Sequence, residues 1–122
     1  MVKILFIDDD HMTLDLMKHV AEICGYNAVN CSSGKEALTL AVKELPDIIM
    51  LDLNLQDIHG TKVIEQLRKK RKIAKTPIIM LTAEKIFEED QNKRLSGADG
   101  YIQKPLRLAE LPEIVNKYVN HK

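Results

Sequence analysis

Short apolar runs alternate with helical patterns along this chain, and this alternation constrains the fold more than any other feature. Three of the runs lie in predicted strands at 3–7, 48–51 and 78–81. Runs without polar alternation are typical of strands buried on both faces, as in parallel sheets covered by helices. A weaker strand is predicted at 27–30 and a brief one at 101–103. The sequence therefore predicts an α/β fold, a five-stranded doubly wound parallel sheet with helices on both faces.

Capping residues predict where the first two helices begin and end. Asp10 is the expected N-cap of a helix over 11–24, and Gly25 is expected to end it in the usual C-terminal position. Ser33 and Glu36 have the spacing of a capping box, in which each side chain satisfies a backbone N–H at the helix start. This box predicts a second helix directly after it.

Three later helices complete the predicted order of elements. Gly60 precedes a helix with an apolar face, and a polar helix is predicted at about 85–95. Pro112 falls inside the last predicted helix. Proline is tolerated only in the first turn, so we expect this helix to begin near Leu111 or to be kinked.

The length of 122 residues suits one domain with a substantial core, and we predict a single domain over 1–122. Acidic and basic residues balance at 18 each, so the net charge indicates no polyanionic partner. The apolar runs are too short for a signal peptide or a membrane span. Cys24 and Cys31 lack metal-ligand spacing, and we expect both to be reduced in a cytoplasmic protein.

Polar residues stand just beyond the carboxyl ends of four predicted strands. Asp8 and Asp9 come after the first strand, Asp52 after the third, and Thr82 and Lys104 after the fourth and fifth. Two unit charges ~4 Å apart repel by about 4 kcal/mol at an effective dielectric of ~20, so clustered carboxylates require a compensating cation. Oxygen ligands favour Mg²⁺. Because sheets of this kind bind ligands at this rim, the pattern predicts phosphate chemistry on a metal.

Taken together, these residues resemble the receiver domain of two-component response regulators over essentially the whole chain. The matching pieces are Asp8-Asp9, Asp52, the run 81–83 and the run 97–105. The resemblance implies a flavodoxin-like strand order 2-1-3-4-5, which chemotaxis receivers share. It also implies that Asp52 accepts a phosphoryl group from a sensor histidine kinase or a histidine phosphotransfer protein.

The same resemblance implies a Mg²⁺ site, with Mn²⁺ able to substitute. Its expected ligands are Asp8, Asp9, Asp52 and the backbone carbonyl of Asn54, with Asp9 and Asp52 as direct carboxylate ligands. The family usually has proline where this chain has Gln56. This departure is expected to loosen the loop after the phosphoacceptor without removing a ligand.

The remaining rim residues have implied roles in transfer and switching. Lys104 is expected to neutralise the transferred oxygens, and Thr82 to donate its hydroxyl to one of them. Tyr101 is expected to pack in the core and to turn inward as the switch aromatic when Thr82 moves. Asn54 and Glu84 are expected to tune dephosphorylation from beside the path of the attacking water. The implied protein is a switch, not an enzyme, although it assists its own phosphorylation and dephosphorylation.

The expected partners are proteins. Besides the phosphoryl donor, a downstream target or effector domain is expected to bind the face made by the 85–95 helix, the fifth strand and the last helix. That face is acidic and complements a second copy poorly, so a monomer is favoured over self-association. The basic run 68–72 contains no aromatic residue for base stacking, and neither direct nucleic-acid binding nor a membrane role is expected.

Three other functions are weaker interpretations of the same residues. An aspartyl phosphatase usually has a second acid two residues after its nucleophile, where this chain has Asn54. A flavodoxin-like cofactor binder needs a Ser-, Thr- or Gly-rich loop after the first strand, but the acids at 8–10 would repel phosphate. A degenerate receiver would lack part of the rim, and here all five rim residues are present.

Overall fold

A parallel sheet forms the centre of the computed structural model, which describes residues 1–53, 55, 57–82, 97–104 and 106–119. Within these residues, five strands pair in the order β2-β1-β3-β4-β5. Their bounds are β1 Lys3–Ile7, β2 Asn27–Cys31, β3 Ile48–Asp52, β4 Ile78–Thr82 and β5 Gly100–Gln103. The predicted fold class and strand order are confirmed, and each strand after the first extends the predicted range by one residue.

The register of the strands brings their carboxyl ends to one rim. Ile7 of β1 lies opposite Leu51 of β3, so the residues that follow them, Asp8 and Asp52, leave the sheet at the same level. Thr82 ends β4 opposite Gln103 of β5, and Gln103 directly precedes Lys104. The sheet therefore gathers side chains that are far apart in the sequence.

Four α-helices lie within the described residues: α1 His11–Ile23, α2 Gly34–Glu44, α3 Gly60–Arg68 and α4 Glu110–Tyr118. A 3₁₀ turn, Arg71–Ile73, follows α3. None of these helices is both long and apolar enough to cross a membrane. The polar helix predicted at 85–95 lies outside the described residues.

The predicted helix boundaries agree closely with the structure. The side chain of Asp10 accepts a hydrogen bond from the backbone N–H of Met12, and that of Ser33 from the N–H of Glu36. Gly25 follows α1 with a φ of 84°, a conformation that glycine adopts without strain. Helix α4 begins one residue before the predicted start, and Pro112 lies in its first turn, where its missing N–H costs no helical hydrogen bond.

Two apolar clusters cover the two faces of the sheet. Alternate strand residues such as Leu5, Leu51 and Met80 pack against α2 and α3, while their neighbours, including Phe6 and Met50, pack against α1 and α4. Strand residues on either face of the sheet are thus buried, which explains the continuous apolar runs in the sequence. The expected placement of helices on both faces is confirmed.

Arg68, at the end of α3, joins three segments at the amino-terminal edge of the sheet. Its guanidinium donates hydrogen bonds to the carbonyl oxygens of Gly97, Ala74 and Thr76 at 2.9, 2.9 and 2.7 Å. It also pairs with the carboxylate of Asp99 at 2.9 Å. The first cation of the basic run is therefore part of the fold's internal hydrogen bonding.

Candidate functional site

Three carboxylates meet at the carboxyl rim of β1 and β3. Asp8, Asp9 and Asp52 each place an oxygen within 4.8 Å of the others. Asp8 and Asp52 are buried, whereas Asp9 is partly exposed. Opposite ligands of one Mg²⁺ are ~4.2 Å apart when each bond is ~2.1 Å, so small side-chain movements allow all three to bind a single ion. All three groups offer carboxylate oxygens, and two of the three residues are buried, which fits a Mg²⁺ site.

Lys104 partly balances this negative charge. Its Nζ lies 2.6 Å from Oδ2 of Asp8 and 3.4 Å from Oδ2 of Asp52. Burial lowers the pKa of Lys104, but the hydrogen bond to Asp8 and the charge of Asp52 outweigh this effect and raise it above its ordinary value. Three carboxylates and one ammonium leave a formal charge of −2 (−3 + 1). The residual charge suits a divalent cation.

Backbone contacts hold Asp8 and Lys104 in place. The second oxygen of Asp8 accepts a hydrogen bond from the N–H of Asp10 at 2.9 Å, and the Asp8 N–H donates to Cys31 at 3.0 Å. The N–H of Lys104 donates to the carbonyl of Thr82 at 2.7 Å. Both charged side chains therefore extend from ordered backbone, which lowers the entropy cost of holding their ion pair.

Thr82 and Tyr101 lie on the neighbouring strands. Thr82 is fully buried at the end of β4, and Tyr101 in β5 is partly buried against the cluster that includes Met80. Tyr101 and Lys104 also line a groove of about 620 Å³. Their switching roles stay predictions. Among the other predicted site residues, Asn54 and Glu84 lie outside the described residues, as does Gln56.

Three residues between the end of β3 and the first turn of α3 have roles that the sequence analysis missed. Asp57 caps α2 from a distance, and His59 is the N-cap of α3, with its side chain accepting from the N–H of Thr61. Gly60 lies where an added Cβ would come 2.9 Å from the carbonyl oxygen of Asp52. Asp57 carried no local signal, because its partners are more than twenty residues away.

The comparisons with known proteins agree with this geometry. Residues 4–116 match the family model described as the response regulator receiver domain. This chain therefore belongs to the receiver-domain family of response regulators.

Several curated relatives and solved structures are similar along nearly the whole chain. The polar-differentiation response regulator DivK of Brucella ovis is 28% identical over 116 residues, 95% of this chain and 94% of that protein. The chemotaxis protein CheY4 of Vibrio cholerae superimposes with a TM-score of 0.88 at 30% identity, covering 97% of this chain and 98% of that one. The receiver domain of the Pseudomonas aeruginosa sensor histidine kinase PA1611, solved with a magnesium ion coordinated in its active-site cleft, has a TM-score of 0.87 at 24% identity, over 97% of each chain.

Membership of this family establishes the general function. The chain is a phosphoacceptor receiver of two-component signalling, with the acidic cluster at which the family binds Mg²⁺. Receiver domains are signalling switches that interact with histidine kinases and downstream effectors. The phosphatase and the cofactor binder lose their support as alternative functions.

Proposed function

We propose that Asp52 is the residue that takes the phosphoryl group, from a histidine kinase or a histidine phosphotransfer protein, in a Mg²⁺-dependent reaction. The observation that carries this proposal is the meeting of Asp52 with Asp8, Asp9 and Lys104 at one rim. Asp52 ends a fully buried strand. Lys104 approaches the Asp52 carboxylate at 3.4 Å, whereas the Asp8 carboxylate is already held by Lys104 at 2.6 Å and by the N–H of Asp10.

The transfer requires no separate base, because a carboxylate is already ionised at neutral pH. A carboxylate oxygen of Asp52 forms the new bond to phosphorus while the bond from phosphorus to the donor imidazole nitrogen breaks. The leaving imidazole retains the electron pair of that bond. Asp8, Asp9, Asp52 and the backbone carbonyl of Asn54 would hold Mg²⁺. The bound ion would neutralise charge on the phosphoryl oxygens.

The chain's own residues stabilise the transferred group. Lys104 stands 3.4 Å from the Asp52 carboxylate and is suited to hold a phosphoryl oxygen as a fixed positive charge. Thr82 offers a hydroxyl donor at the adjacent strand end. Its movement toward the phosphoryl group would vacate space for Tyr101, which is already partly buried. Asn54 and Glu84 are proposed to set the lifetime of the acyl phosphate by orienting or excluding water.

The switch is proposed to act on another protein through the face that includes β5 and α4. The proposed chain is a monomer, is not an enzyme, and forms a single domain over 1–122. We place it in the cytoplasm, where the unpaired Cys24 and Cys31 stay reduced. Mn²⁺ is expected to substitute for Mg²⁺, because it takes the same oxygen ligands. Neither nucleic acid nor membrane is a proposed direct partner.

The proposal is tested by incubating the chain with a small acyl phosphate and Mg²⁺ and measuring the intact mass. Wild type should gain one phosphoryl mass, and Asp52→Asn none. Lys104→Ala should slow the gain, whereas Lys69→Ala, which removes an exposed lysine from the far end of α3, should not. Equal rates for the two lysine variants would remove Lys104 from the mechanism.

A further inference from the structure

The loop 53–59, between β3 and α3, leaves the site directly after the phosphoacceptor. Its apolar residues Leu53 and Leu55 are buried, and the N–H of Gly60 donates to the carbonyl of Leu53 at 2.9 Å. Proline would restrict the backbone at position 56, but this chain has Gln56 there. The described residues of the loop, 53, 55 and 57–59, are held by noncovalent contacts.

Asp57 fastens this loop to a different helix. Its Oδ2 accepts hydrogen bonds from Oγ of Ser33 at 2.8 Å and from the N–H of Lys35 at 3.1 Å. Its Oδ1 accepts from the N–H of Gly34 at 3.0 Å. These two N–H groups belong to the first turn of α2, where no carbonyl of the helix can accept from them. The carboxylate also faces the positive end of the helix dipole.

Apolar contact beside this carboxylate leaves little room for the loop to shift. A Cβ added to Gly34 would overlap the side chain of Ile58 and lie 3.2 Å from that of Leu55. Helix α2 is itself anchored, because its Ala37 and Ala41 are fully buried in the same cluster as Leu55. The described residues of the loop are thus fastened to a helix whose own side chains are buried.

We infer that Asp57 is a positioning residue for metal binding: by tying the loop to the N-terminus of α2, it holds the backbone beyond Asp52 in place to complete the metal site. The inference rests on the proposed function. If the loop were not fixed beforehand, metal binding would have to order it, and the lost backbone entropy would weaken affinity. Asp57 acts through the hydrogen bonds that its carboxylate accepts from Ser33 and from the first turn of α2.

The test is an NMR titration of Mg²⁺ into wild type, Asp57→Ala, Asp57→Asn and the control Asp47→Ala. Asp47 is also an exposed carboxylate that accepts a backbone hydrogen bond, from Lys3 at 2.8 Å, but it lies at the opposite edge of the sheet. Asp57→Ala should weaken Mg²⁺ affinity about tenfold. Asp57→Asn should lose affinity to an intermediate extent, because its amide keeps one acceptor oxygen but replaces the other with an NH₂ donor that faces the N–H of Gly34 or of Lys35. Asp47→Ala should leave the affinity unchanged.

The outcomes separate this inference from the proposed function. Unchanged affinity in Asp57→Ala would overturn the positioning role, and so would a loss in Asp57→Asn greater than that in Asp57→Ala, since the amide keeps one of the two acceptor oxygens. A loss in Asp47→Ala as large as that in Asp57→Ala would also overturn it. If wild type itself shows no saturable shift around Asp8 and Asp52, the proposed function fails instead. Thermal melts of each variant fix the temperature at which all four proteins are folded.

Discussion

At the residue scale, the rim is an incompletely neutralised cluster of charge. Lys104 lies closer to Asp8 than to Asp52, at 2.6 Å against 3.4 Å. Asp8 is also held by the N–H of Asp10. The cost of assembling the three carboxylates therefore falls mainly on Asp9 and Asp52. A metal ion removes that cost, which couples metal binding to stability.

Asp52→Asn should raise the free energy of unfolding by ~1–3 kcal/mol without Mg²⁺, because it removes one of the repelling charges. Asp8→Asn should stabilise less, since it also removes the nearest partner of a half-buried lysine. Urea melts with and without Mg²⁺ measure both effects, and added Mg²⁺ should stabilise wild type more than either variant. Identical Mg²⁺ responses in the three proteins would contradict a metal site here.

Asp57 gives the stability a pH dependence of its own. Burial raises the pKa of Asp57, but hydrogen bonds from Lys35, Gly34 and Ser33 outweigh this and lower it to about 2. A carboxyl whose pKa falls on folding stabilises the protein above its unfolded pKa of ~3.9, and this contribution disappears as the pH falls through the folded value. The stability that wild type gains over Asp57→Asn from its carboxylate should therefore be constant above pH ~5 and shrink as the pH drops toward 2. A difference that stays constant through this range would refute the assignment.

At the scale of elements, the helix ends show how far local patterns extend. Asp10, Ser33 and Gly25 were predicted because each acts on residues within one turn of itself. The start of α3 is different, since its N-cap is His59, a residue type that is not among the preferred caps. Nδ1 of His59 lies 3.3 Å from the N–H and 2.8 Å from the hydroxyl of Thr61, which fits the neutral ring.

His59→Asp should stabilise the chain by ~0.5–1 kcal/mol, because a carboxylate is a better cap and interacts favourably with the helix dipole. The matched control is His19→Asp, an exposed position in the middle of α1 with no capping role. Thermal or urea unfolding compares the two. A loss of stability in His59→Asp similar to that in the control would show that the cap contributes nothing at this site.

At the scale of the whole molecule, the sequence was informative about strands and much less about contacts between elements. Continuous apolar runs identified the buried strands, and the polar residues after them identified the rim. Strand order came from the family resemblance, since periodicity carries no information on which strands are neighbours. The partners of Asp57 in α2 lie 22 or more residues away in the sequence. The partners of Arg68 at the amino-terminal edge lie 6 to 31 residues away. Most such contacts have no local signal.

The most direct test of the central claim, phosphorylation of Asp52, is to locate the modified residue after treatment with a small acyl phosphate and Mg²⁺. Borohydride reduces an aspartyl phosphate to homoserine, so digestion and peptide mass analysis identify the position that carried the phosphoryl group. We expect homoserine at position 52 alone, and only when Mg²⁺ is present. Homoserine at Asp8 or Asp9 instead, or none in a sample whose intact mass shows the phosphoryl group, would contradict Asp52 as the acceptor.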